Sequence, residues 1–381
     1  MKRFNAIIIS SLLKRKPFFP FHSFEVNIML NFNQKIKNFL RLTCREFMGM
    51  VVSIPLFTVI LGAQNDFDTR KKIDVPEPIY GCYFGSKILL QDEHLLISAP
   101  GYPDGSSFGA VYAYSFKDGL PVLRQKITNE SGYSGEYFGQ EMAIDGTVLA
   151  VSGGYRGRDV YIYRYNGFTW VKEQTLNWEG EYSFGYKVSV SGDRMVVGTY
   201  PNDCPANRAF VYRYNGTEWE METILQPEGD PEIPEIGFGR GVAIDGKTLA
   251  IGAPDEGGDF RGRIHLFEYD GAIWQPTDVI STNQSGIGES IELSSDLLVM
   301  GNPWAGIITI YRRIGNEWMF EQDITPSSAD FWSNDGSHIS ISNDMIAVGI
   351  GPYEGSVNQV YLFKYERNRW DEKYVFTEDD F

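Results

Sequence analysis

The stretch FGRGVAIDGKTLAIGAP, residues 238–254, decides the fold, because its parts return along most of the chain. Phe238-Gly239 opens the stretch, Asp245-Gly246 divides it, and its apolar second half ends in Gly252-Ala253-Pro254. Asp-Gly between two apolar runs is typical of the positive-φ turn of a β-hairpin. The second run has no polar side to turn toward water, so we predict that it forms a strand covered on both faces.

The same pattern occurs six times between residue 70 and the C-terminus. Its copies begin at Phe84-Gly85, Phe138-Gly139, Phe184-Gly185, Phe238-Gly239 and, more weakly, Ile287-Gly288 and Asp335-Gly336. The apolar runs that follow are LLISAP (95–100), LAVSGG (149–154), MVVGTY (195–200), LAIGAP (249–254), LVMGNP (298–303) and IAVGIG (346–351). Successive copies start 54, 46, 54, 49 and 48 residues apart. A period of about 50 residues indicates a repeat architecture.

Each copy continues with a third and a fourth run. The third runs are aromatic and alternating: VYAYSF (111–116), VYIYRY (160–165), FVYRY (210–214), IHLFEY (264–269), ITIYRR (307–312) and VYLFKY (360–365). We expect this strand to have one wetter face, which carries Arg164, Arg213 and Glu268. A tight turn then leads, in every copy but the first, to a tryptophan: Trp170, Trp219, Trp274, Trp318 and Trp370. We expect these rings to pack between adjacent units.

Four short strands in about 50 residues, repeated six times, predict an all-β fold, a β-propeller of four-stranded blades. A linear solenoid is the other arrangement, but closure into a ring protects the edge strands and favours the propeller. We predict six blades. The segment RKKIDV, residues 70–75, is similar to the closing strand of each copy. It either completes the last blade or begins a partial seventh, so seven blades are the alternative.

These residues resemble the FG-GAP repeat family, whose name motif Phe238-Gly239 and Gly252-Ala253-Pro254 match outright. The likeness covers about residues 70–381 and implies the propeller of integrin α-subunit heads and of many secreted microbial proteins. Calcium-binding members carry a loop with several carboxylates between the two motifs, whereas this chain has turns such as Ile144-Asp145-Gly146. One carboxylate cannot supply the six to eight oxygens that calcium takes. We therefore predict no metal and no cofactor.

Charge separates the N-terminal segment from the rest of the chain. The net charge is −16, yet residues 1–63 hold nine Lys/Arg and two acids, while residues 64–381 hold 25 Lys/Arg and 48 Asp/Glu. A body this acidic repels phosphate backbones, so we expect no nucleic-acid partner. The acidity suits solubility outside the cell or cationic partners.

Residues 47–63, FMGMVVSIPLFTVILGA, are 17 residues without a charge and follow Arg41 and Arg45. A basic flank, an apolar stretch and small final residues are the parts of a secretory signal. The run is shorter than the about 20 residues of a membrane span, and Pro55 interrupts it. We predict that residues 1–63 are a basic leader holding a signal or signal-anchor, with an upstream mis-assigned start or a buried core helix as alternatives.

Three sequons agree with export and are glycosylation candidates: Asn129, Asn215 and Asn283. Cys82 and Cys204 could pair in an oxidising compartment, a point that the sequence leaves open. Enzyme motifs are nearly absent, since no HExxH, CxxC, GxSxG or P-loop spacing occurs. We expect no catalytic residue. A glycoside hydrolase or lyase is the alternative, because acids from different blades can converge in space.

Binding is therefore the function that we expect. The resemblance to integrin heads implies that the loops after the Gly-Ala-Pro strands and those before Phe-Gly share one face. Aromatic and acidic side chains in such loops suit a protein or a glycan. The ligand-binding candidates are Tyr102, Asp104, Tyr155, Arg156, Tyr200, Asp255, Glu256, Asp259, Trp304, Trp332 and Tyr353. We expect a secreted or surface-anchored recognition or adhesion module, with a structural surface protein that has no dedicated ligand as a further alternative.

Overall fold

The computed structural model describes most of the repeat region and parts of the N-terminal segment. The described residues are 7–11, 23–32, 36–45, 56–60, 83–101, 108–117, 120–129, 136–153, 159–178, 184–200, 208–227, 237–256, 262–281, 286–302, 306–327, 338–342, 344–350 and 359–377. Residues 70–75, Cys82 and Cys204 lie outside them, so the predictions made for these residues stay predictions.

The N-terminal segment contains a four-stranded sheet. Its strands are β1 (Ile7–Ser11), β2 (Ser23–Phe32), β3 (Ile36–Arg45) and β4 (Leu56–Ile60), in the order β1-β4-β2-β3. Strands β2 and β4 pair in parallel, which distinguishes this sheet from a blade. Of the predicted signal segment 47–63, only β4 is described. No helix among the described residues is long and apolar enough to cross a membrane.

Six further sheets, each with four antiparallel strands paired in chain order, are the blades of a β-propeller. Blade 1 consists of β5 (Ile88–Gln91), β6 (His94–Ala99), β7 (Ala110–Lys117) and β8 (Leu120–Thr128). Blade 2 consists of β9 (Glu141–Asp145), β10 (Val148–Ser152), β11 (Asp159–Tyr165) and β12 (Trp170–Asn177). Blade 3 consists of β13 (Val188–Ser191), β14 (Arg194–Gly198), β15 (Ala209–Tyr214) and β16 (Trp219–Leu225). Blade 4 consists of β17 (Gly241–Asp245), β18 (Thr248–Ala253), β19 (Arg263–Tyr269) and β20 (Trp274–Ser281). Blade 5 consists of β21 (Ser290–Ser294), β22 (Leu297–Asn302), β23 (Ile307–Ile314) and β24 (Glu317–Ile324). Blade 6 consists of β25 (His338–Ser342), β26 (Met345–Ile350), β27 (Gln359–Glu366) and β28 (Arg369–Thr377). The predictions of an all-β propeller and of six blades are confirmed.

The chain divides into two compact units. One consists of Met1–Gln140 and Pro326–Phe381, and the other is Glu141–Thr325, which contains blades 2 to 5. The second unit has consecutive blades with a hydrophobic core layer between each neighbouring pair, and it contains the candidate site described below.

The second strand of each blade in this unit is covered on both faces, as predicted: every residue of β10, β14, β18 and β22 is buried. The expected alternation of the third strand is wrong. In β11 all four residues from Val160 to Tyr163 are buried, and only its ends are wetter. In β15, where Ala209 to Tyr212 are all buried, Phe210 and Tyr212 pack with blade 2 and Ala209 and Val211 pack with blade 4, so neighbouring blades cover both faces of this third strand. Arg164 lies where β11 approaches its turn, which is why its charge is tolerated.

The Phe-Gly and Gly-Ala-Pro motifs meet at the junction between blades. The backbone N–H of Gly239 donates to the carbonyl oxygen of Gly252 in the same blade, at 2.9 Å. Gly252 in turn faces the next blade so closely that a Cβ atom on it would lie 1.8 Å from the carbonyl oxygen of Gly288. Gly198 has the same relation to the carbonyl oxygen of Gly239, at 2.1 Å. These motif residues are glycines because the backbones of two neighbouring blades approach each other here and leave no room for a side chain.

The tryptophans pack between blades, as expected. Trp219 lies in the layer between blades 2 and 3, Trp274 between blades 3 and 4, and Trp318 between blades 4 and 5. The side-chain amide of Gln174 binds both backbone groups of Trp219, accepting from its N–H at 2.7 Å and donating to its carbonyl oxygen at 2.9 Å. Each of these three indole rings is thus buried in a core layer to which two neighbouring blades contribute side chains.

The turns between first and second strands form a ladder of hydrogen bonds from blade to blade. Asp145 accepts the backbone N–H of Gly192 at 2.6 Å, and Asp245 accepts that of Ser295 at 2.5 Å. Between them, the hydroxyl of Ser191 accepts the backbone N–H of Gly246 at 3.0 Å. The turn aspartates thus bind the neighbouring blade. Across the described residues, no group of three or more His, Cys, Asp or Glu side chains could hold a metal ion.

Candidate functional site

The candidate site lies at one end of blades 3, 4 and 5. In a four-stranded antiparallel blade, the chain enters the first strand at the end where it leaves the second strand and the fourth. We call this end of blades 2 to 5 the loop end, and the opposite one, where the two hairpin turns lie, the turn end. Tyr200 follows β14, Asp255 and Glu256 follow β18, and all three therefore lie at the loop end.

Arg240 is the centre of the site. It follows Phe238-Gly239 directly and precedes β17. Its Nη1 lies 2.6 Å from Oδ2 of Asp255, and its Nη2 lies 3.1 Å from Oε2 of Glu289. Its guanidinium carbon lies 4.9 Å from the ring centroid of Tyr200. Burial alone would lower the pKa of Arg240, but Glu289 and Asp255 outweigh it and raise that pKa.

Tyr186 joins the same network from blade 3. Its hydroxyl donates to Oε1 of Glu289 at 3.0 Å, and its ring centroid lies 4.8 Å from that of Tyr200. Burial, and then the negative charge of Glu289, raise the pKa of Tyr186 far above its ordinary value. The hydroxyl is therefore a protonated donor at neutral pH.

Tyr186, Arg240 and Glu289 occupy equivalent positions, since each follows the glycine of the Phe-Gly or Ile-Gly pair in its blade. The register of the repeats contained this signal, although none of the three residues was among the predicted ligand-binding residues. The first strands of neighbouring blades start side by side, so the residues that follow the motif glycine come together at the loop end. The pair Glu141 and Lys187 extends this pattern, one residue further along blades 2 and 3, with an Oε1–Nζ distance of 2.6 Å.

Glu256 fixes the base of the loop that joins β18 to β19. Its Oε1 lies 2.8 Å from Nη1 of Arg263, and its Oε2 lies 2.5 Å from Nε2 of His265. Its carbonyl oxygen accepts the backbone N–H of Gly262 at 3.0 Å. Burial would raise the pKa of Glu256, but the hydrogen bonds and charges of His265 and Arg263 lower it. His265 is thus a hydrogen-bonded histidine of the sheet.

Three of the eleven predicted ligand-binding residues are described, and the structure brings two of them together. Tyr200 and Asp255 both contact Arg240, whereas Glu256 binds Arg263 and His265 in the same blade as Asp255. All three hold the bases of loops. The other eight candidates lie outside the described residues: Tyr102, Asp104, Tyr155, Arg156, Asp259, Trp304, Trp332 and Tyr353.

The sequons differ in their surroundings. Asn129, at the end of β8, donates its side-chain N–H to the carboxylate of Glu136, a buried residue. Asn215 lies exposed in the turn between β15 and β16, at the turn end of blade 3. Asn283 lies outside the described residues.

The site binds the described residues at the ends of two loops and offers paired charges beside aromatic rings. Each of its described cations lies against a carboxylate, so it has the chemistry of positioning and binding. The described contacts contain no serine or cysteine nucleophile paired with His265, whose Nε2 is bound to Glu256.

The comparisons with known proteins concern the fold. No family model matches the chain, and no curated protein sequence matches it significantly. Among solved structures, a provisionally named 6-phosphogluconolactonase of Bacteroides fragilis is similar with a TM-score of 0.54 and 14% identity, over 75% of this chain and 82% of that chain. A protein of the same provisional name from Bacteroides uniformis has a TM-score of 0.54 and 14% identity, over 74% and 82%.

The WD40 repeats of RRP9 have a TM-score of 0.49 and 12% identity, over 74% of this chain and 77% of that chain. At identities this low, the likeness to the two Bacteroides structures shows the propeller fold alone, because one propeller scaffold hosts many activities.

Proposed function

We propose that the protein is a non-enzymatic recognition module of the FG-GAP type, exported or anchored at the cell surface, which binds a protein or a glycan through the loops of the loop end. The observation that carries this proposal is the network around Arg240. It connects the residues that precede the first strands of blades 3, 4 and 5 with one another. Through Tyr200 and Asp255 it also contacts the residues where the loops after β14 and β18 begin. Binding residues on loops work best when a rigid scaffold positions them.

The chemistry of the site favours recognition over turnover. Arg240 and Glu256 are paired with charged partners within the chain, and Asp255 and Glu256 among these residues stand where the loop after β18 begins. A binding loop whose ends are already held loses less conformational entropy when it binds a ligand, which favours affinity. The loop residues predicted from the sequence are rich in Tyr and Trp, which dominate protein interfaces and stack on sugars.

Export is proposed from the sequence. The basic leader with its uncharged segment 47–63, the three sequons and the acidic body agree with it. The FG-GAP assignment is supported by the role of the motifs, since Gly239 and Gly252 bind each other within a blade and Gly252 meets Gly288 of the next.

The test is a glycan array, together with a display library of extracellular proteins, probed with the full-length protein. We expect saturable retention on at least one ligand and no release of sugar. The triple change Tyr155→Ala, Trp304→Ala and Trp332→Ala, in loops that leave blades 2 and 5, should abolish that retention while leaving the melting temperature nearly unchanged.

A matched control removes three apolar side chains from the turn end. Phe168, Ile273 and Ile314 are 83%, 57% and 65% exposed there, and their replacement by alanine should leave binding intact. Loss of binding in the control, or retention in the loop variant, would refute the assignment of the loop end. Released sugar would instead support the alternative hypothesis that the protein is a glycoside hydrolase or lyase.

A further inference from the structure

Asn215 has a geometry that separates it from the other described sequon. Its turn, Asn215 to Glu218, is exposed and joins β15 to β16. Oδ1 of Asn215 accepts the backbone N–H of Thr217 at 2.9 Å and that of Glu218 at 3.0 Å. The hydroxyl of Thr217 donates to the same oxygen at 2.8 Å.

These bonds fix which way the carboxamide of Asn215 points. Backbone N–H groups only donate, so the atom that accepts two of them is the oxygen and cannot be the nitrogen. The nitrogen Nδ2 therefore lies on the side away from the turn. Among the described residues, no acceptor is bound to it. An exposed amide nitrogen and a hydroxyl two residues on are what an N-glycosylation acceptor requires.

Asn129 presents the opposite case. Its Nδ2 donates to the carboxylate of Glu136, which is only 7% exposed. A nitrogen held against a buried carboxylate is not open to a bulky donor, and freeing it would leave Glu136 without that hydrogen bond.

The neighbouring blades provide the same turn without the hydroxyl. Oδ1 of Asn166 accepts the backbone N–H groups of Phe168 and Thr169, both at 2.9 Å. Oδ1 of Asp270 accepts those of Ala272 and Ile273, at 2.8 and 2.9 Å. Blade 2 thus has the asparagine but a phenylalanine two residues on, and blade 4 has neither the amide nor the hydroxyl.

We propose that Asn215 is the N-glycosylated residue of blade 3 and that Asn129 is not modified; this rests on the export included in the proposed function. The donor is a lipid-linked oligosaccharide pyrophosphate. Nδ2 of Asn215 forms the bond to the anomeric carbon, the bond from that carbon to the pyrophosphate oxygen breaks, and the lipid pyrophosphate leaves. The nitrogen gives up one proton to a base of the transferase. The glycan stands at the turn end, so the loop end stays open to a ligand.

The experiment compares the full-length chain in a eukaryotic cell line with the same chain carrying an added cleavable export signal. Intact mass before and after peptide-N-glycosidase treatment, followed by peptide mapping, locates each glycan. We expect a glycan at Asn215 in both chains and none at Asn129. Asn215→Asp should lose it while keeping the turn, as Asp270 does, and Thr217→Ala should lose it too.

A matched gain-of-site variant makes the result decisive. Phe168→Thr places a hydroxyl two residues after Asn166, in the same turn of blade 2, and should add a glycan at Asn166. With the added signal, modification at Asn166 but not at Asn215, a glycan at Asn129, or a secreted chain without a glycan at Asn215 would each overturn the proposal. Modification only when the signal is added would support the site and refute export by the chain's own leader.

Discussion

The hydroxyl of Tyr186 in blade 3 donates a hydrogen bond to Glu289 of blade 5, 3.0 Å away, and so links the two blades on either side of blade 4. Arg240 of blade 4 binds the other oxygen of the same carboxylate. Three consecutive blades are therefore joined at one point by residues that follow the motif glycine.

Replacement of Arg240 by methionine should destabilise the protein by about 3 kcal/mol. The side chain is 15% exposed, and its loss leaves Asp255 and Glu289 in a partly buried place without their cation. Urea unfolding of the two proteins measures the difference. Arg213→Met is the control, because the pair of Arg213 with Asp193 is about half exposed and should contribute less than about 1 kcal/mol. Equal losses in both variants would contradict the role given to the Arg240 network.

The stabilisation from Glu256 should depend on pH. Burial acts to raise the pKa of Glu256, but His265 and Arg263 bring it below its ordinary value of 4.5. A carboxylate with a lowered pKa stabilises the folded state above its unfolded pKa, and this stabilisation is lost as the pH falls through the folded pKa.

The difference in unfolding free energy between wild type and Glu256→Gln should therefore be largest above about pH 5 and shrink below about pH 4.5. Urea titrations from pH 6 to pH 3 test this. Glu220→Gln, at an exposed glutamate of β16, should change stability little at any of these pH values. A difference that stays constant down to pH 3 would show that the contacts with His265 and Arg263 do not stabilise the carboxylate.

Gly252→Ala should destabilise the fold by about 3 kcal/mol or more, because the added Cβ would lie 1.8 Å from a backbone oxygen of the next blade and the backbones must move apart. Gly246→Ala is the comparison. Nothing lies within 4 Å of its Cβ, so only its positive φ of 61° costs about 1 kcal/mol. Thermal unfolding ranks the two, and a smaller effect at Gly252 would rule out the tight blade junction.

Trp274→Phe should cost about 1 kcal/mol more than Trp219→Phe. The indole N–H of Trp274 donates to Glu222 at 2.9 Å, whereas the buried indole N–H of Trp219 has no hydrogen-bond partner among the described residues. Phenylalanine removes a satisfied donor in the first case and an unsatisfied one in the second. Chemical denaturation of both variants measures this, and the reverse order would show that ring size outweighs the hydrogen bond.

The blade architecture was predictable because local patterns encode it. Asp-Gly turns, apolar runs such as residues 249–254 and the tryptophans at positions 219 and 274 each report on one strand or one turn. The alternation expected for the third strand failed because its burial depends on the neighbouring blades, as Ala209 to Tyr212 show.

The register of the repeats places Tyr186, Arg240 and Glu289 at equivalent positions, but it does not predict which of these side chains make contact. Tyr186, Arg240 and Glu289 are 49 to 103 residues apart in pairs that nevertheless touch. Nothing in the spacing says that a tyrosine of one blade reaches past its neighbour to a glutamate two blades on. Only the packing of the first strands brings these side chains together.

The hydrogen bonds between the turns of neighbouring blades restrict how such a chain can gain or lose repeats during evolution. Blades 3 and 4 each offer one side-chain acceptor to the following blade and one backbone donor to the preceding one, through Ser191 with Gly192 and Asp245 with Gly246. A gene duplication that copies one whole repeat therefore supplies both halves of every new junction. A duplication or deletion of only part of a repeat would leave a side-chain acceptor or a backbone donor without its partner in the neighbouring blade. We therefore expect repeats of this kind to be gained or lost whole.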